Sequence, residues 1–297
     1  MMKIISTPQN YNAALDVQQI VKKEIISPSI ENFCGDEKIL FFNKDIEIPN
    51  SAIIVHSLWP NTNDNLIELL LLLDCLENSG TKQVTLITPY LPFLRQDRQL
   101  KNKSSIGSKV LAKLLSNIII NNIITLDVHS KNAINFFGDI LINIEISDFF
   151  AEKIKKIIPQ ESQNMIVVSP DSGSIHRAKN LADLLDIDYL ALSKLRTQAS
   201  VEISGFPANK KFEIVIIIDD IIDSGSTILS CINHIKSNVT KIIICATHII
   251  DLAVLEKIKN AKENIEIITT NSTNYNNKFN NIYPLLAQHI PPSFNFE

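Results

Sequence analysis

Six short apolar runs rich in Ile and Val recur along the chain: Ser51–Ser57, Gln83–Pro89, Ile123–Val128, Met165–Pro170, Glu213–Asp219 and Lys241–His248. Continuous rather than alternating hydrophobicity is the pattern of strands buried on both faces. Between the runs stand segments of helical period, at Asn65–Ser79, Gly107–Ser116, Ser174–Leu185, Thr227–Ser237 and Ala253–Asn264. Such alternation predicts an α/β fold in which helices flank a mainly parallel sheet. The strands form two groups of similar layout that divide near Ile142–Ser147, which predicts two domains, residues 1–145 and 146–297. A faint echo between SIGSKVLAKLL (Ser105–Leu115) and SIHRAKNLADLL (Ser174–Leu185), one residue out of step, fits a duplication. Asn63 and Asp64 precede NLIELLLLL and are placed to cap the first long helix. The polar stretch Thr197–Lys211 has no clean period and is expected to form a long mobile loop.

Composition narrows the function classes. With 297 residues, 45% of them apolar and 20% charged, the chain can bury a substantial core in two domains of ordinary size. The net charge of -4, with no basic stripe interleaved with aromatics, gives no nucleic-acid footprint. Cys34, Cys75, Cys231 and Cys245 make no C-x-x-C and read as packed thiols in a reducing cytoplasm. The N-terminal stretch has no long apolar core, and the run around Leu66–Leu73 is too short to cross a bilayer. A soluble cytoplasmic protein with no membrane partner is therefore expected. Its seven glycines are too scattered for G-x-G-x-x-G or a Walker A loop, and its six histidines contain no H-x-x-x-H.

One apolar run ends strangely. IVIIIDDIIDSGSTI (Ile214–Ile228) passes from a core strand into Asp219, Asp220 and Asp223 and then Ser224, Gly225, Ser226 and Thr227. An unpaired buried carboxylate costs roughly several kcal/mol, so the acids are expected to face a ligand beyond the strand's end. The turn's amides and hydroxyls, with the helix that follows, make an anion pocket. Acids for two sugar hydroxyls beside a pocket for phosphate suit a ribose 5-phosphate. A turn whose acids merely cap the helix is the alternative.

The stretch IIIDDIIDSGST resembles the phosphoribosyl-diphosphate motif shared by phosphoribosyltransferases and ribose-phosphate diphosphokinases. Further segments resemble the second family only: PNTNDNLIELL (Pro60–Leu70), TPYLPFLRQDR (Thr88–Arg98), DVHSKNAINFF (Asp127–Phe137), VVSPDSGSIHRAKNLA (Val167–Ala182), SKLR (Ser193–Arg196) and ATH (Ala246–His248). Their order along the chain identifies a divergent member of the ribose-phosphate diphosphokinase (phosphoribosyl pyrophosphate synthetase) family. The resemblance implies two tandem phosphoribosyltransferase-like domains and transfer of the β,γ-diphosphoryl group of ATP to the C1 hydroxyl of ribose 5-phosphate. It also implies Mg2+ as cofactor and a homo-oligomer, dimer or hexamer.

It further implies residue roles. Arg95 and Gln96 match the ATP-binding pair, and an Arg fork suits phosphate oxygens. Phe33 and Glu37 match residues that reach a neighbouring subunit's adenine. His129 matches a magnesium- or triphosphate-binding position, and Asp171 a second metal-associated one. Lys194 and Arg196 match catalytic cations that meet charge building up in the transition state. Asp219 to Thr227 match the ribose-phosphate loop.

Departures accompany the matches. The family's F-x-D-G-E stands here as FCGDE, with Gly35 and Asp36 exchanged, and Asn43 is followed by Lys44 rather than Glu. Lys131 replaces an acid near the expected metal, Ser174 and Ser226 replace glycines, and the Ser-Gly after ATH is missing. Serine serves at those two positions only if φ stays negative there. Two further readings stay open: a weakly active or inactive subunit that binds nucleotide and regulates a partner, and a phosphoribosyltransferase acting on a base.

Overall fold

The computed structural model describes residues 2–35, 37–159, 161–196, 201–207, 209–273 and 278–292, with residues 172, 194–196 and 201–203 described in backbone only. The chain divides into two compact units, the first running up to Ile144 and including the C-terminal stretch from Asn281, the second running from Glu145 to Asn271.

In the first unit the strands are β1 (Met2–Ile5), β2 (Ile25–Ile26), β3 (Ser29–Asn32), β4 (Lys38–Phe41), β5 (Ser51–Val55), β6 (Gln83–Ile87), β7 (Ile120–Leu126) and β8 (Leu141–Ile144). Six of them make one sheet in the order β2-β1-β5-β6-β7-β8, and every pairing in it is parallel. β3 and β4 form a separate antiparallel hairpin. The helices are α1 (Tyr11–Val21), α2 (Thr62–Asn78), α3 (Gly107–Ser116) and α4 (Lys131–Phe137). α2 buries Leu69, Leu72, Leu73 and Leu76 against Ile54, Val84 and Leu86 of the sheet. That stripe follows the i, i+3, i+4, i+7 spacing of one helix face. The expected capping at Asn63 and Asp64 is corrected: α2 begins at Thr62 after Asn61, which is left-handed (φ 58°), so both residues lie inside the first turn.

The second unit carries α5 (Ser147–Ile157), β9 (Met165–Ser169), α6 (Ile175–Leu185), β10 (Asp188–Ala191), β11 (Ser193–Arg196), β12 (Val201–Ser204), β13 (Phe212–Ile222), α7 (Ser226–Ile235), β14 (Val239–Ile249), α8 (Ala253–Lys259) and β15 (Ile265–Thr269). Its sheet runs β10-β9-β13-β14-β15 and is again wholly parallel. Ile228, Cys231, Ile232 and Ile235 of α7 pack on Val215, Ile217, Ile242 and Ile244. Cys231 and Cys245 are buried free thiols, and burial pushes the Cys231 thiol up to about 12. Cys34, by contrast, is exposed.

Two expectations change here. The helix expected over Ala253–Asn264 stops at Lys259, and the chain turns into β15. The stretch expected as one long loop contains β12, which pairs antiparallel with β11. VEIS does alternate with period two, but four residues are too few to show it in a polar setting. Residues 197–200 and 208 of that stretch lie outside the described residues. The last helix, α9 (Tyr283–Ala287), packs on α1 of the first unit. No helix among the described residues is long and apolar enough to cross a membrane.

Candidate functional site

The acidic strand end differs from its expected form. β13 does not stop at Asp219 but runs to Ile222, paired with β14 through Asp219–Ala246 and on to Ile222–Ile249. On its other flank pairing ends at Ile217–Val168, because β9 finishes at Ser169. Asp219 and Asp220 are thus within the strand on one side and beyond the sheet on the other. The two acids differ in exposure, Asp220 buried and Asp219 half-buried, and their carboxyls lie close enough to hydrogen-bond to each other.

The loop after β9 fills the vacated flank. Asp171 is extended (φ -158°), and its Oδ1 accepts the Gly173 N–H at 2.9 Å, capping the short turn Ser172–Ser174. Its carbonyl accepts the Ser169 hydroxyl at 2.5 Å. Buried Ser174 donates its hydroxyl to Asp219 Oδ1 at 2.6 Å, and the same oxygen accepts the Asp220 N–H at 3.0 Å. Burial first, and the adjacent Asp220 carboxylate second, push the Asp219 carboxyl up to about 8, against the lowering effect of the Ser174 hydrogen bond.

Past the strand, Asp223 and Ser224 are exposed, and the Ser224 hydroxyl donates to Ser226 Oγ at 3.2 Å. Gly225 has φ 72° and opens α7, whose first ladder bond runs from Leu229 N–H to Gly225 O at 2.9 Å. The helix therefore begins at Ser226, one residue before the expected Thr227. Its first-turn amides are those an α-helical ladder leaves without acceptors, and they carry the positive end of the helix dipole. Both serines that stand in place of glycine keep negative φ: Ser174 is at -98°, and Ser226 is a helical residue. No backbone strain attends either substitution.

In the first unit, Phe33 and Glu37 lie at the tip of the β3–β4 hairpin, both exposed, with Phe33 N–H donating to Glu37 O at 2.7 Å. Gly35 has φ 87°, so the glycine sits where the turn needs it despite its exchange with the acid. Asp36 lies outside the described residues. Behind the tip, Lys38 Nζ reaches Glu68 of α2 at 3.0 Å, and Gln9 Nε2 donates to the same buried carboxylate at 3.0 Å.

Arg95, exposed, and Gln96 follow β6. Gln96 is held by its N–H to Phe93 O (2.9 Å) and by its carbonyl, which accepts the Ser108 hydroxyl (3.0 Å). A Cβ on Gly107 would meet Gln96 Oε1 at 2.7 Å, so only glycine at the start of α3 lets this side chain lie there. His129 is exposed after β7, just before Ser130, whose hydroxyl caps α4 by accepting the Ala133 N–H at 3.1 Å. Lys131 is exposed at the first position of α4. In the second unit, Lys194 and Arg196 lie two residues apart on β11, with side chains outside the described ones.

Among the described residues, no three His, Cys, Asp or Glu side chains gather into a metal cage. A hard oxygen donor at Asp171 suits magnesium, which takes few protein ligands and keeps its waters. From sequence, Ser174 is a departure whose hydroxyl could add a phosphate contact, and Gly107 is not singled out. A serine where the motif carries glycine, and a glycine opening a helix, were the available signals.

Two wholly parallel sheets, each with an acid-, hydroxyl- or amide-bearing loop at its strands' carboxyl ends, define a tandem phosphoribosyltransferase-like α/β protein. The comparisons agree and sharpen this. Residues 2–118 match the N-terminal domain of ribose phosphate pyrophosphokinase, and residues 139–287 match the phosphoribosyl transferase domain. The chain is 30% identical to the ribose-phosphate pyrophosphokinase of Aquifex aeolicus over 97% of its own length and 94% of the relative's. It is 29% identical to ribose-phosphate pyrophosphokinase A of Dictyostelium discoideum, over 91% of this chain and 85% of that one. The fold matches the crystal structure of phosphoribosylpyrophosphate synthetase from Mycobacterium smegmatis with a TM-score of 0.86, 24% identity, and coverage of 97% and 96%. The chain belongs to the ribose-phosphate pyrophosphokinase family.

Proposed function

We propose that this protein is an active ribose-phosphate diphosphokinase, which moves the β,γ-diphosphoryl group of ATP onto the C1 hydroxyl of ribose 5-phosphate and releases AMP. The observation that carries this reading is the end of β13, where two acids lead through Gly225 into the first turn of α7. Asp219 and Asp220 accept hydrogen bonds from the sugar's 2- and 3-hydroxyls. Asp223, Ser224, Gly225, Ser226 and Thr227 form the turn that receives the 5-phosphate on backbone amides and hydroxyls. Arg95 and Gln96 hold the triphosphate, and Phe33 and Glu37 meet the adenine of a neighbouring copy, which makes the working form an oligomer. In domain terms, the first unit brings the ATP contacts at Arg95, Gln96, Phe33 and Glu37, and the second the sugar contacts.

His129 and Asp171 are the residues that would hold magnesium, which when bound neutralises phosphate charge and polarises the transferred group. Lys194 and Arg196 stabilise the charge that builds on the phosphoryl oxygens during transfer. The C1 hydroxyl oxygen bonds to the β-phosphorus as the bond from that phosphorus to the α,β-bridging oxygen breaks. That oxygen leaves on AMP, and the hydroxyl proton passes to solvent.

The test is direct. Purified protein is incubated with Mg-ATP and ribose 5-phosphate, and AMP and the diphosphorylated sugar are followed. AMP that forms only when the sugar is present supports the proposal. Tight nucleotide binding without turnover would instead mark a regulatory subunit, the reading that the charge reversal at Lys131 favours. Consumption of the sugar diphosphate on adding a base, with no use of ATP, would mark a phosphoribosyltransferase.

A further inference from the structure

In this chain the residue at position 174 does something that the motif's glycine has no atoms to do. Ser174 is buried, it opens α6, and its hydroxyl crosses from the β9 loop to the flank of β13 that β9 leaves uncovered. There it donates to Asp219 Oδ1 at 2.6 Å, a short bond of the charge-assisted kind. The Asp220 N–H donates to the same oxygen. Two donors on one oxygen fix the carboxylate's rotation about its Cβ–Cγ bond, because any turn of the group would break both.

We infer that Ser174 is a positioning residue for the sugar: it commits Asp219 Oδ1 to the protein and thereby fixes Asp219 Oδ2 as the oxygen offered to a ribose hydroxyl. The inference rests on the proposed function for its substrate, but the tie itself belongs to the ligand-free protein. It gives the serine a role distinct from a phosphate contact, since its hydroxyl proton is spent on the acid. Burial and the neighbouring acid favour the protonated form of Asp219, and the Ser174 hydrogen bond opposes them only in part.

The experiment compares Ser174→Ala, Ser174→Gly and Ser174→Thr with the unaltered protein. Glycine is acceptable at φ -98° and matches the motif, so it serves if the alanine variant folds poorly. The Ala and Gly variants are expected to raise KM for ribose 5-phosphate by about three- to tenfold, the loss of one charge-assisted hydrogen bond's worth of orientation. KM for Mg-ATP should stay within twofold (about the scatter of such measurements), and Thr, which keeps a hydroxyl, should recover most of the loss. Pairing Ser174→Ala with Asp219→Asn should add little to Asp219→Asn alone, as residues that act through one contact do not add.

In parallel, amide hydrogen exchange is measured on ligand-free protein. Ser174→Ala should speed exchange at the Asp220 N–H, whose acceptor it loosens, relative to strand amides elsewhere in β13. If the unaltered protein turns over and the sugar KM does not move, or both KM values and Tm move together, the positioning role is overturned while the proposed function stands. If the unaltered protein neither binds the sugar nor turns over, the proposed function falls. Asp220 exchange then still decides whether Ser174 holds Asp219, and an unchanged rate overturns that too.

Discussion

A methyl group on Gly225 would lie 2.3 Å from Cγ2 of Val254, far inside any tolerable contact. The glycine that opens α7 is thus required twice, once by its φ of 72° and once by α8 packed against it. Gly225→Ala is expected to destabilise the protein by roughly 2–4 kcal/mol, strain and overpacking together. The Val254→Ala change removes the obstructing methyls, so the double variant should regain the packing share but not the strain share. Urea unfolding of the three variants checks this, and additive losses would mean that α8 is not what confines the turn.

The state of Asp219 makes stability depend on pH in an unusual direction. A carboxyl near 8 in the folded protein and near 3.8 when unfolded binds protons on folding between those values. Its contribution is neutral below the unfolded value, becomes steadily more destabilising as pH rises through this window, and is at its worst above about 8. Asp219→Asn removes a charge that the ligand-free fold resists. The variant should be more stable than its parent at pH 8.5 by roughly 0.5–2 kcal/mol, while at pH 4 the two should nearly coincide. Its affinity for ribose 5-phosphate should fall by more than tenfold. Thermal unfolding at both pH values is the measurement, and an Asn variant less stable than its parent at pH 8.5 would contradict the assigned sign.

Lys38 and Glu68 link the β3–β4 hairpin to the core. Glu68 is only 3% exposed, so removal of its cation leaves a buried charge, a change that costs about 3–5 kcal/mol in buried pairs. Half-buried Lys38 and the Gln9 amide soften this, and Lys38→Met is expected to cost roughly 1–3 kcal/mol by denaturation. Because Lys38 directly follows Glu37, the same variant should raise KM for Mg-ATP severalfold and leave KM for ribose 5-phosphate alone. Replacing both members, Lys38→Met with Glu68→Leu, should recover stability but not nucleotide affinity.

The sequence speaks most clearly where burial is most complete. β5, β6, β9, β13 and β14 are flanked by strands on both sides and largely buried, so they are written as mainly apolar stretches rich in Ile and Val. Edge and short strands carry weaker signatures: β2 has two residues, β8 has two half-buried positions between buried ends, and β10 is half exposed. The acids at 219 and 220 were legible as a candidate site because no core strand tolerates them unpaired. Their true setting was not legible, since the length of β13 depends on where β9 and β14 end. The partner of Ser174 lies 45 residues away, a contact that only the fold creates.

Lys194 offers the sharpest check on mechanism. It stands on β11, whose partner is the single strand β12, and a two-stranded ribbon of four residue pairs is marginally stable by itself. This ribbon is separate from the five-stranded sheet, so a truncation there should leave folding nearly intact, with Tm within about 2 °C of the parent. If the ammonium acts on charge that develops only during transfer, Lys194→Ala loses an interaction absent from both ground-state complexes. Turnover should then drop by about 10²–10³, as for removal of one preorganised electrostatic donor, while KM for Mg-ATP and for ribose 5-phosphate changes less than threefold. Lys194→Arg, which keeps the charge but alters its shape and hydration, should recover only part of kcat. Steady-state kinetics with each substrate varied in turn measure this split, and a loss confined to KM would assign Lys194 to substrate binding instead.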